Sequence, residues 1–154
     1  HPTTFMCMQW IDQQDFTDLD IVDYGCGSGI LGIATLLMGA KKVIGVDIDP
    51  QALLATTENA KRNHLPADAM PVYLPPRCPK VEADIMLANI LAGPLAELAP
   101  TLSGLTKLGG KICLSGILAV QAESVKTAYN KWFDFDPTAH QEEWVRLTAT
   151  KVRP

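Results

Sequence analysis

The chain has 154 residues, 47% of them hydrophobic and 19% charged, with a formal net charge of −4. A chain of that length suits one domain that buries roughly 68–70% of its unfolded surface and needs no covalent staples. The acidic balance argues against a basic nucleic-acid footprint, no apolar run reaches the length of a membrane span, and no signal peptide is visible, so a cytoplasmic protein is expected. Cys7, Cys26, Cys78 and Cys113 are scattered without a CxxC pair, which supports neither a zinc site nor a thioredoxin-like motif, and no metal is expected. The chain opens on His1 rather than Met, so a longer precursor with an upstream domain is expected.

In chain order, Thr3 or Thr4 suits the N-cap of a short apolar helix over Phe5–Ile11, and the acidic stretch 12–20 reads as a loop. Ile21–Tyr24 is a short buried strand with Asp23 as its one charge. Gly25, Gly27 and Gly29 follow at every second position, and then Ile30, Leu31, Ile33, Ala34, Leu37 and Met38 recur at helical spacing up to Gly39. Lys42–Asp47 is a second strand. Asp49 caps a helix that begins at Pro50 and runs to Asn63. Met70–Leu74 is a short third strand, 75–79 a loop, and Ala83–Ala88 a fourth strand leading into Asn89. A helix is expected from Leu91 to Leu105, a turn at Gly109–Gly110, a fifth strand at Lys111–Ser115 and a helix from about Val120 to Trp132. Phe133–Thr138 and Trp144–Val152 are two extended segments with no room for a crossover helix, so they should pair antiparallel. Strands that alternate with helices and end in a hairpin predict an α/β, doubly wound sheet of about seven strands, mostly parallel.

The strand–glycine turn–helix is the chemical centre of this pattern. Such a turn lets backbone approach a ligand closely and aims helix N–H groups at it, at the carboxyl end of a parallel strand. Asp47 ends the second strand, where a carboxylate can accept hydrogen bonds from both hydroxyls of an adenosine ribose. That role serves NAD and S-adenosyl-L-methionine alike, so Asp47 does not separate them; a surface or capping acid is the bland alternative. Asp23 separates them better. A carboxylate beside the turn suits the cationic amino group of a methionine moiety and is poorly placed beside a pyrophosphate, although it could also be a simple cap. Asn89, just after the fourth strand, stands where a methyl group would be presented, or it caps the next helix. As a catalytic group it would work without being a base: its oxygen, with a nearby backbone carbonyl, accepts the N–H bonds of a target amine. His1, His64 and His140 are isolated and read as surface or capping groups, Trp10 and Trp132 as core, and no Ser–His–Asp pattern accompanies Ser28 or Ser115.

The element order resembles that of the Rossmann-like class I S-adenosylmethionine-dependent methyltransferases, whose sheet order is 3-2-1-4-5-7-6. VDYGCGSG at 22–29 resembles the first methyltransferase motif, and HPTT at 1–4, VDIDPQAL at 46–53, NILAGPL at 89–95, LSGIL at 114–118 and EEWVRLT at 142–148 together closely resemble the PrmA family, bacterial methyltransferases of large-subunit ribosomal protein eleven. Tyr24 stands where phenylalanine is usual in that family. The resemblance implies trimethylation of the N-terminal and lysine amines of that protein, which would be the partner, with no nucleic acid or membrane involved. It also implies cofactor contacts at Thr4, Gly25, Asp47 and Asn89, which join Asp23 and Gly27 from the residue reading. Family members carry an N-terminal substrate-recognition domain that these 154 residues lack, so residues 1–154 are expected to form a single catalytic domain. Transfer to another protein or a small molecule, a cofactor-binding module without activity, and an NAD-type oxidoreductase are the alternatives.

Overall fold

Near-continuous apolar runs bury both faces of each central strand, and this fixes how the chain layers. The computed structural model describes residues His1–Pro154. Its helices are α1 (Pro2–Asp12), α2 (Ile30–Leu37), α3 (Pro50–Arg62), α4 (Ala92–Glu97), α5 (Ala99–Gly104) and α6 (Ala122–Tyr129). Its strands are β1 (Asp20–Tyr24), β2 (Lys42–Val46), β3 (Val72–Tyr73), β4 (Ala83–Asn89), β5 (Thr106–Leu118), β6 (Phe133–Phe135), β7 (Ala139–Gln141) and β8 (Trp144–Lys151).

The strands form one sheet in the order β3-β2-β1-β4-β5-β8-β6, with β7 also paired to β8. The first five are parallel, and β8 runs antiparallel to β5, β6 and β7. On one face, Val22, Met86, Ile112 and Leu114 pack with Leu95, Leu102, Val125 and Tyr129 of α4, α5 and α6. On the other, Ile21, Ile85, Leu87 and Cys113 pack with Cys7, Trp10 and Ile11 of α1 and with Leu31 and Ile33 of α2. Asp23 alternates onto this second face, under α2.

The expected sheet is present, with four local differences. The α1 N-cap is His1, whose ring accepts from Thr3 N, rather than Thr3 or Thr4. The helix expected over 91–105 is two helices meeting at Leu98, because Pro100 brings no N–H to bond Ala96. Gly109–Gly110 lies inside β5 rather than in a turn. The β4–β5 register is irregular there, Gly109 has φ +84°, and a side chain at Gly110 would press on the carbonyls of Lys107, Asp84 and Ala83. The segment after α6 is split, so β6 and β7 lie end to end along β8, with Thr148 Oγ1 donating to Asp136 Oδ2 between them.

Candidate cofactor and amine site

A cleft of ≈ 530 Å³ opens at the carboxyl ends of the parallel strands. Tyr24 ends β1 there, Asp47 follows β2, Asn89 ends β4, and Gly116 lies near the end of β5. This is where open α/β sheets bind ligands, because the loops diverge and leave a crevice.

The glycine turn forms the floor. Gly25, Gly27 and Gly29 have φ of +77°, +56° and +84°. A Cβ at Gly25 would collide with Ile90 Cγ2, and one at Gly29 would lie 2.8 Å from Thr56 Cγ2, whereas Gly27 faces open space. The turn is tied to β2, since Gly25 N and Cys26 N both donate to Val46 O at 2.6 and 2.9 Å. Helix α3 clamps it from the side: Thr56 Oγ1 donates to Gly27 O at 2.9 Å, and Asn59 Nδ2 donates to Ser28 O at 2.8 Å.

Asp47 is built into this floor. Its Oδ2 accepts from Gly27 N at 2.9 Å and its Oδ1 from Asp49 N at 3.0 Å. Each carboxylate oxygen has about two acceptor sites, so one backbone bond on each leaves a further site on each for a ligand's hydroxyl pair.

Asn89 and Thr4 meet across the cleft wall, with Asn89 Nδ2 donating to Thr4 Oγ1 at a long 3.4 Å. This contact orients the amide and leaves Asn89 Oδ1 without a partner in the chain. The cap of α4 is Leu91, without a side-chain bond, so Asn89 is not a helix cap.

Gly25, Asp47 and Asn89 therefore line the cleft directly. Gly27 stands behind Asp47, and Thr4 behind Asn89. Asp23 lies behind the turn, only 2% exposed, and its Oδ2 accepts from Gly32 N at 3.1 Å. Burial pushes its carboxyl up to about 7; the Gly32 N–H opposes the shift, and the Asp47 charge adds to it. Burial likewise pushes the Cys26 thiol up to about 11, which leaves it a poor nucleophile. No group of three or more His, Cys, Asp or Glu side chains is placed to hold a metal, and no helix is long and apolar enough to cross a membrane.

Several site residues are absent from the expectations above. Thr56 and Asn59 clamp the turn but look in sequence like ordinary polar positions of an amphipathic helix. The His1 and Trp144 rings meet edge-to-face at 5.1 Å on the cleft rim. Ile90 and Gly116 face each other at its floor. Only the neighbourhood of His1 in HPTT, of Ile90 in NILAGPL, of Gly116 in LSGIL and of Trp144 in EEWVRLT gave a signal for them.

The sheet order, the three-glycine turn after β1 and the acid ending β2 define the class I S-adenosylmethionine-dependent methyltransferase fold. Within that class, residues 1–152 match the family model of ribosomal protein L11 methyltransferase (PrmA), and the chain belongs to that family. The Cellvibrio japonicus ribosomal protein L11 methyltransferase is 80% identical over 99% of this chain and 52% of its own length. The Saccharophagus degradans protein of the same name is 59% identical over 98% of this chain and 52% of its own length. The chain thus spans about half the length of these curated relatives. A crystal structure of ribosomal protein L11 methylase from Lactobacillus delbrueckii subsp. bulgaricus superposes with a TM-score of 0.90 at 30% identity, covering 99% of this chain and 80% of that one. An RNA methyltransferase from Salinibacter ruber, solved in complex with S-adenosyl-L-homocysteine, shares the fold at a TM-score of 0.76 and 18% identity, covering 97% and 92% of the two chains.

Proposed function

We propose that the chain is the catalytic domain of an S-adenosylmethionine-dependent protein N-methyltransferase that acts on amines of ribosomal protein L11. The observation that carries this reading is the pairing of two features in one cleft. A glycine turn and Asp47 offer backbone and hydroxyl-binding groups to an adenosine. Asn89 and Ile90 line the same cleft, and Asn89 Oδ1 and the Ile90 carbonyl are without partners in the chain.

The residues present fit the cofactor. Gly25, Asp47 and Asn89 line the cleft, Asp47 has two acceptor sites to spare, and the cleft volume suits a ligand of that size. S-adenosylmethionine supplies a sulfonium methyl, so the new N–C bond forms as the C–S bond breaks, with its electron pair passing to sulfur. The chain itself contributes positioning. Its harder task is to present a neutral amine. A lysine with pKa about 10.4 is neutral in only about one part in a few thousand at pH 7, a cost of roughly 4–5 kcal/mol, against about 1–1.4 kcal/mol for an α-amine. Apolar Ile90, Leu91, Pro94 and Leu98 line the cleft and disfavour the charged form by desolvation. Asn89 Oδ1 and the Ile90 carbonyl then accept the two N–H bonds of the neutral amine and aim its lone pair. After transfer, the proton leaves to water.

The test is a calorimetric titration with S-adenosylmethionine and with NAD, followed by methyl transfer to ribosomal protein L11 read by mass spectrometry. Binding of S-adenosylmethionine and mass gain at amines support the proposal; binding of NAD alone would overturn it. Asn89→Ala should keep cofactor affinity within roughly tenfold and lower transfer about 10²-fold, the order expected when the reacting amine is misplaced. Cofactor binding without transfer to any amine would instead favour a module that only binds.

A further inference from the structure

We infer that Gly116 is a positioning residue: it sets the Ile90 carbonyl at the amine seat, and Ile90 links that seat to the cofactor turn. The inference rests on the amine-transfer reading above and adds to it the device that places the second acceptor.

Gly116 sits in a bulge. The β5–β8 pairing runs to Leu114↔Leu147 and resumes at Ile117↔Val145, so Ser115 and Gly116 together oppose Arg146. Bulges bend a strand end and re-aim what it carries, and they recur beside active sites. Gly116 has φ +87°, a conformation that side chains rarely adopt. A Cβ there would run into the Ile90 carbonyl oxygen and come within 2.9 Å of its carbon and 3.3 Å of Ile90 N. The Ile90 peptide therefore occupies the space that any other residue at 116 would fill.

On its other side, Ile90 Cγ2 lies against Gly25, where a Cβ would collide with it. One residue thus fills the gap between two glycines, one in the cofactor turn and one in the bulge. Ile90 follows β4 and precedes α4, and its carbonyl takes no hydrogen bond from the chain. Ile90 is packed by its carbonyl against Gly116 and by its side chain against Gly25, and a carbonyl so placed yet left without a donor is suited to accept one from a ligand. With the N–C bond held by the substrate's own chain, two acceptors fix the two N–H directions of an amine and leave the lone pair as the one remaining direction; one displaced acceptor misdirects it.

The experiment compares Gly116→Ala, the double variant Ile90→Ala/Gly116→Ala, and a semisynthetic chain with an ester in place of the Ile90–Leu91 amide. Each is titrated with S-adenosylmethionine and with S-adenosylhomocysteine, and assayed for single-turnover transfer to ribosomal protein L11 at saturating cofactor. In Gly116→Ala, the displaced Ile90 presses on Gly25, so cofactor affinity should fall, and transfer should fall about 10²-fold. The double variant removes the pressure on Gly25 but not the displacement, so affinity should recover while transfer does not. The ester leaves every side chain in place, weakens the Ile90 carbonyl as an acceptor and removes the Leu91 N–H, which bonds nothing in the chain, so it should lower transfer roughly two- to tenfold.

Unchanged transfer in Gly116→Ala, recovery of transfer in the double variant, or an ester chain as fast as the parent would each overturn the inference. The ester arm decides the matter if the Gly116 variants do not fold. A parent chain that binds neither ligand or transfers to no amine would overturn the functional proposal and this inference together. An active parent with active variants would overturn this inference alone.

Discussion

At the residue scale, Asp47 is tied to both the turn and the ligand side, so its removal should act on both. Asp47→Ala takes away charge-assisted bonds worth about 1.5–3 kcal/mol, and affinity for S-adenosylmethionine should fall roughly 10- to 150-fold. Calorimetry on the two proteins checks this, and equal affinities would mean that no ribose sits at Asp47. Asp23 leads to a prediction about pH. Its folded carboxyl keeps the proton up to about pH 7, while the unfolded chain releases it near 3.8. Between those values the folded state binds more protons, so stability falls as pH rises, and above about pH 7 the loss is complete. Asp23→Asn keeps an oxygen for Gly32 N–H and carries no charge. The variant should gain on the parent by at most about 1.4 kcal/mol per pH unit across that window. Urea midpoints at pH 5 and pH 8 read the difference; parallel profiles would show that Asp23 is not the group responsible.

At the scale of elements, the turn between β1 and α2 is held by α3 as much as by its own glycines. Thr56 is fully buried, and its hydroxyl is the side-chain donor to Gly27 O. Thr56→Val keeps the shape and removes the donor, leaving a carbonyl unsatisfied. Stability should drop by about 1–3 kcal/mol, and cofactor affinity should drop with it as the turn loosens. Lost stability with cofactor affinity unchanged would show that α3 supports the fold but not the site. Thr56 also shows where the sequence stopped being informative. The turn itself was legible, because three alternating glycines between a β-branched run and a helical period have few other uses. Asp47 and Asn89 were legible because each stands at the carboxyl end of a strand, and strand ends can be read where a short β-branched apolar run stops. Thr56 was not, because a polar residue in an amphipathic helix carries no mark of the carbonyl it will meet. The Ile90–Gly116 contact was hidden for a similar reason: it depends on a bulge set by how β5 pairs with β8, a long-range register that local pattern does not encode. The break between α4 and α5 was different. Pro100 announced it, and the continuous apolar period from Leu91 to Leu105 masked it.

At the scale of the molecule, α1 lies across β4, β5 and β8, and it brings Thr3 to the cleft and Thr4 to Asn89 behind it. It precedes the sheet in sequence, so side-chain ties must hold it there. Ser115 Oγ donates to Thr3 O at 3.2 Å, and Arg146 Nη1 donates to Met6 O at 2.7 Å. Both anchors come from the same place, the β5 bulge and the residue opposite it, so the irregularity that shapes the amine seat also fastens the helix beside it. Arg146 is not optimally satisfied, because its buried Nε has no partner. Arg146→Ala therefore removes a bond to a charged donor worth about 1.5–3 kcal/mol and also relieves an unpaired N–H, for a net loss of about 1–2 kcal/mol. That loss should be local. Amides of α1 should exchange with deuterium roughly 5- to 30-fold faster under native conditions, while those of β1 and β4 keep their protection. Cofactor affinity should weaken in the same variant, because Thr4 no longer holds the Asn89 amide in place. Uniformly faster exchange across all strands would mean that Arg146 supports the whole sheet and that α1 is not a separately anchored wall of the site.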